Sequence, residues 1–89
     1  MPYMLVRNKV RDFDTWKSVF DSELDRGREA GLGVVRLWRS TEDPGEVFFL
    51  LSVSDMDRAR AFTADPASAA AGERGGVVEG EIHYVEDVG

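Results

Sequence analysis

Leu32-Gly33-Val34-Val35-Arg36-Leu37-Trp38-Arg39 and Glu46-Val47-Phe48-Phe49-Leu50-Leu51-Ser52-Val53, joined by a turn through Thr41-Glu42-Asp43-Pro44-Gly45, read as a β-hairpin. Both runs are rich in β-branched and aromatic residues, and the turn carries Pro and Gly where a chain reversal needs them. A helix must precede this hairpin. Phe13, Trp16, Phe20 and Leu24 recur at three and four residues and make one apolar stripe, with Asp12 as N-cap and a stop at Gly31 after Ala30. Before it, Tyr3 to Val10 reads as a strand that tolerates Pro2 at its start. After the hairpin, Asp55 caps a helix that buries Met56, Ala59 and Phe62. Asp65-Pro66 interrupts or restarts that helix, Ala67 to Ala71 adds a short helical turn, and Val77 to Val85 forms the last strand beyond Gly75-Gly76.

The order β-α-β-β-α-β is the split βαβ arrangement, so the expected fold is ferredoxin-like α+β: a four-stranded antiparallel sheet with its helices on one face. A chain of 89 residues holds one such domain, residues 1–89. Acids outnumber Lys and Arg by 17 to 11, a net charge of −6 that disfavours binding to nucleic acid. The apolar run between Met1 and Arg7 is too short for a signal core or a membrane span, so a cytoplasmic protein is expected, without membrane partners. There is no Cys and one His, which leaves no recognisable metal motif; no metal or other cofactor is expected. Glycine-rich phosphate loops and nucleophile elbows are also missing.

Side chains alternate across a strand, so each strand divides into two sets. Met4, Val6, Asn8, Val10, Gly33, Val35, Leu37, Val47, Phe49, Leu51, Val53, Val78, Gly80, Ile82 and Tyr84 form a nearly apolar set that belongs under the helices. The other set is mixed: Tyr3, Leu5, Arg7, Lys9, Val34, Arg36, Trp38, Phe48, Leu50, Ser52, Val77, Glu79, Glu81, His83 and Val85. Both helices cross to the same side, so this mixed face is bare in a single subunit. Its apolar members ask for a cover, and a second copy packed sheet to sheet is the simplest closed solution.

The mixed face also holds the groups that could carry chemistry. His83 is the only histidine, able to act as general base on an acidic C–H or a phenol, or simply to sit at the rim against a carboxylate. Arg36 could stabilise a developing enolate, although an Arg beside Trp38 is as readily a packing or cation–π group. Arg7 could bind a substrate anion, but Glu79 and Glu81 have the parity to pair with Arg7 and Lys9 across strands. Trp38, Phe48 and Leu50 would wall a pocket for a flat hydrophobic molecule, or fill a subunit interface. Ser52 could donate a hydrogen bond to a ligand; no base beside it supports a nucleophile. Asn8 and Tyr84, among apolar neighbours, read as structural groups with buried partners.

Val6-Arg7-Asn8-Lys9-Val10-Arg11-Asp12-Phe13-Asp14-Thr15-Trp16-Lys17 and Asp55-Met56-Asp57-Arg58-Ala59-Arg60-Ala61-Phe62 carry a resemblance to a known group. The chain, over nearly its whole length, resembles the dimeric α/β-barrel superfamily, in which two ferredoxin-like subunits pack their sheets into a barrel. Within it the chain is similar to small cyclase-like and antibiotic-biosynthesis-monooxygenase-like proteins. The resemblance implies a homodimer, and a cyclase-like or cofactor-independent oxygenase-like activity on an aromatic or polyketide-like small molecule bound between sheet and helices or in the barrel. His83 and Arg36 would then be catalytic, with Trp38, Phe48, Leu50, Arg7 and Ser52 holding substrate. Many relatives carry a His near the middle of the first strand, where this chain has Asn8, so that role does not transfer. The alternative is a non-catalytic dimer of the same fold that binds a small molecule or serves in assembly.

Overall fold

A computed structural model describes all residues, Met1–Gly89. The strands are β1 (Pro2–Val10), β2 (Leu32–Arg39), β3 (Glu46–Val53) and β4 (Val77–Glu86); the helices are α1 (Phe13–Ser22), α2 (Leu24–Glu29), α3 (Met56–Ala64) and α4 (Pro66–Arg74). The sheet runs β2-β3-β1-β4, and β1 pairs antiparallel with both β3 and β4. This is the expected ferredoxin-like α+β fold.

Three aspartates start helices as their sequence positions suggest. The Asp12 carboxylate accepts from the Thr15 N–H at 2.9 Å and its hydroxyl at 2.8 Å. Those two bonds hold the Asp12 carboxyl below its ordinary pKa, because they stabilise its charged form. Asp55 accepts from the Arg58 N–H at 3.1 Å, and Asp65 from the Ala67 N–H at 2.8 Å. Asp65-Pro66 therefore restarts a helix, and α4 runs well past the short turn expected at Ala67 to Ala71. Gly31 (φ 80°) ends the α1–α2 segment in the left-handed region that favours glycine, and its carbonyl accepts from the Ser54 N–H.

One expected helix is two. The Ser22 hydroxyl donates back to the Val19 carbonyl at 2.6 Å, and the Glu23 N–H is shared between the carbonyls of Val19 and Phe20. Such local side-chain competition tightens and breaks the turn between α1 and α2.

The core gathers Met4, Val6, Val10, Leu32, Val47, Phe49, Leu51 and Val53 from the sheet with Trp16 and Ala59 from the helices. Two β-bulges correct the face assignment. In β2, Val34 pairs with Leu51 and Arg36 with Leu50, so Val35 is an extra residue. In β4, Val77 pairs with Val10 and Glu79 with Lys9, so Val78 is extra. Each bulge reverses the alternation before it. Val34 and Val77 thus face the helices, while Gly33, opposite Ser52, faces the open side. Leu32 is buried. Helix cover does not reach fully over the β4 edge, where Ile82, opposite Val6, stays 47% exposed.

Candidate functional site

The α1 stripe sets the first wall of a cavity between helices and sheet. Trp16 stacks on Phe20 with ring centroids 4.9 Å apart, and both reach Phe49 of β3, at 5.8 and 5.1 Å. Trp16 is buried, so this aromatic cluster is a rigid part of the core. Phe62 of α3, Leu51, Val34 and Val77 add apolar surface, and the space they line, open on one side, is about 190 Å³. An engineered apolar cavity of about 150 Å³ admits benzene, so one aromatic ring fits here and a larger ring system would extend through the opening.

Four polar side chains border this space. Asn8 lies on the sheet wall, in register between Val47 of β3 and Gly80 of β4. Gly80 leaves room for it: a Cβ there would stand 3.0 Å from Asn8 Oδ1. The other three are Glu23, Arg26 and Ser68, from the helix side. Arg26 Nε donates to Glu23 at 3.3 Å, Arg26 Nη2 donates to the Ser68 hydroxyl at 2.8 Å, and the guanidinium lies 4.3 Å from the Phe62 ring centroid. The Ser68 hydroxyl in turn donates to the Phe62 carbonyl at 2.5 Å.

Asn8, expected to be structural, is thus a wall of the cavity. Arg26, Glu23 and Ser68 were not singled out by sequence. The one local signal is that Glu23 and Arg26 stand three apart on a helical surface, a spacing that reads as an ordinary surface ion pair.

The open sheet face carries the other candidates, in rows set by strand register. One row runs Arg36, Leu50, Leu5, His83; the next runs Trp38, Phe48, Arg7, Glu81. His83 and Arg36 therefore share a face and a row, but on opposite edges, three strand spacings or about 14 Å apart. His83 is exposed, with Nε2 3.4 Å from Glu81.

Arg7 is held among three carboxylates, Glu46 and Glu79 at 3.1 Å and Glu81 at 3.8 Å, which matches the cross-strand pairing expected of it. Lys9 instead pairs with Asp43 of the hairpin turn, which raises the lysine pKa and lowers that of the carboxyl. The Ser52 hydroxyl donates to the Gly33 carbonyl at 3.3 Å. Trp38 is 46% exposed, and Phe48 and Leu50 are half-buried. These three adjoin Leu5 and form a continuous apolar surface. Tyr84, read as structural, has its hydroxyl 3.3 Å from Thr63 Oγ1 and its ring under the Arg60 guanidinium.

No group of three or more His, Asp or Glu side chains is placed to hold a metal ion. No helix is long and apolar enough to cross a membrane.

Comparison with known proteins places the fold. No family model matches the chain, and no curated protein matches it. Solved structures do. A crystal structure called antibiotic biosynthesis monooxygenase superposes with a TM-score of 0.73 over 100% of both chains, at 14% identity. A provisionally named antibiotic biosynthesis monooxygenase from Caulobacter crescentus gives 0.72 at 19% identity, covering 99% of this chain and 90% of its own. An uncharacterised NIPSNAP domain protein from Burkholderia xenovorans gives 0.71 at 12% identity, with 99% and 95% covered. The chain has the ferredoxin-like α+β fold of antibiotic-biosynthesis-monooxygenase-like proteins. At these identities the likeness carries the architecture, and activity must be argued from the site.

Proposed function

We propose that the protein is a small homodimeric enzyme, oxygenase-like or cyclase-like, acting on an aromatic or polyketide-like molecule held between sheet and helices. The observation that carries this reading is the cavity: rings of Trp16, Phe20, Phe49 and Phe62 around a space of ring size, with the Asn8 amide on its sheet wall. Apolar walls exclude water and hold a flat ring by contact. The Asn8 N–H can donate to a phenolic or enolic oxygen and favours its anion, the species that either reaction class consumes. His83 and Arg36 face away from this cavity and remain in the proposal as an acid–base and anion-stabilising pair for a molecule held in the barrel between two sheets. One subunit holds them on opposite edges of the sheet, so a molecule between them would lie across the row Arg36, Leu50, Leu5, His83.

A second reading, a non-catalytic small-molecule binder of the same dimeric fold, has an observation in its favour. Glu23 and Arg26, the titratable groups bordering the cavity, are tied to each other.

Gly72 provides the test. It lines the cavity, and a Cβ at this position meets nothing within 4 Å. Gly72→Phe is expected to place a ring where the ligand's ring would go, while leaving the helix at least as stable as with glycine. Calorimetric titration with 2-naphthol should show saturable binding to the unaltered protein and at least about tenfold weaker binding to Gly72→Phe, with Tm unchanged or raised. Equal binding by the two proteins would refute the site.

A further inference from the structure

We infer that the molecule bound in this cavity is an aromatic anion, a flat ring system bearing a carboxylate that seats on Arg26. The inference rests on the proposed cavity and adds the charge of its occupant. The chain as a whole is acidic, with a net charge of −6, and Arg26 is the one base in the lining. Glu23 is the one acid of the lining and is shared between two guanidiniums, with Arg26 Nε at 3.3 Å and Arg74 Nη2, outside the lining, at 3.7 Å. Arg74 thus draws on the carboxylate that would otherwise serve Arg26 alone.

Arg26 is also fixed in direction. Glu23 takes its Nε–H, the Ser68 oxygen takes one Nη2 hydrogen, and the Phe62 ring supports its plane. Ser68 cannot turn away, because its proton is committed to the Phe62 carbonyl. A guanidinium has five N–H donors, so three remain unengaged by these contacts, including both on Nη1. A pre-oriented guanidinium with free donors beside an apolar ring site suits a carboxylate, which can accept two parallel N–H bonds. Asn8 stands on the opposite, sheet wall, so one molecule can present a phenolic oxygen to Asn8 and a carboxylate to Arg26. Arg26 is then a specificity-determining residue, and Glu23 and Ser68 position it. The competing role is a strut, with Arg26 only clipping α2 to α4.

Paired titrations separate these roles, using 2-naphthol and 6-hydroxy-2-naphthoate, which share a ring system and a hydroxyl and differ by the carboxylate. The unaltered protein at low salt should bind the acid about tenfold more tightly than the naphthol. Arg26→Gln should erase that difference and leave naphthol binding unchanged. Arg74→Gln, at an exposed residue outside the cavity lining, should weaken the acid about threefold without moving Tm. Equal binding of the two compounds to the unaltered protein overturns the inference while the cavity stands. Binding of neither overturns both. Parallel loss of both compounds in Arg26→Gln identifies a strut and also overturns the inference.

Discussion

Leu50→Lys is expected to abolish the sheet-to-sheet dimer proposed for this protein. Leu50 lies in the row Arg36, Leu50, Leu5, His83, with Trp38 and Phe48 in the row beside it. Leu5 is 36% and Trp38 46% exposed, and together these side chains make an apolar surface on the sheet face that the helices leave bare. A second sheet packed against it would remove that surface from water, at roughly 1.5–3 kcal/mol for each large side chain fully covered. Two-fold symmetry places every substitution in the interface twice. Lysine is the stringent choice, because glutamate would find Arg36 next to it, whereas lysine meets a like charge. The dimer dissociation constant should rise by at least about 100-fold. Sedimentation equilibrium reads it directly; unchanged self-association would show that another surface pairs the subunits, and a monomeric unaltered protein would show that none does.

Trp16→Ala carries the largest expected effect on stability. The side chain is only 4% exposed and contacts three rings, Phe13 at 6.0 Å, Phe20 at 4.9 Å and Phe49 at 5.8 Å. Removing a buried indole forfeits its transfer free energy and leaves a void that such a cluster cannot close, about 3–5 kcal/mol together. Against a total of about 5–15 kcal/mol for a domain, that loss leaves a marginal fold. Each kcal/mol corresponds to about 4–8 °C in Tm for a chain of this size. Urea and thermal denaturation should both report the loss, with Trp16→Phe recovering most of it. A loss below about 1 kcal/mol would mean that Trp16 edges the cavity without supporting it.

Why the sequence revealed the elements but not all of the faces follows from particular residues. The hairpin bounds at Leu32, Arg39, Glu46 and Val53 were legible because a Pro-Gly turn separates two runs of β-formers. Asp12, Asp55 and Asp65 announced their helices through short-range chemistry, a carboxylate beside free N–H groups. The bulges were hidden for a simple reason. Each falls at a pair of valines, Val34-Val35 and Val77-Val78, and identical neighbours read equally well in either phase. The break at Glu23 has no Gly or Pro to mark it, only a serine hydroxyl that turns back on its helix.

The site was less legible than the fold. Parity places a residue on a face but not at a distance, and so His83 and Arg36 shared a face correctly while the strand order set them on opposite edges. The cavity is closed by contacts such as Arg26 to Ser68, which are 42 residues apart, beyond the reach of any local pattern. Asn8 was visible as the odd polar residue among apolar neighbours. Only the empty position at Gly80 and the helices above show that it borders open space.

The two tryptophans stand on opposite sides of the sheet, Trp16 at the cavity and Trp38 on the open face, and so report on the two regions separately. Titrating 6-hydroxy-2-naphthoate into Trp38→Phe, which keeps only Trp16, should change the tryptophan emission saturably. In Trp16→Phe, which keeps only Trp38, the emission should stay level through the same titration. A saturable response from Trp38 with none from Trp16 would move the ligand to the open face and contradict the account.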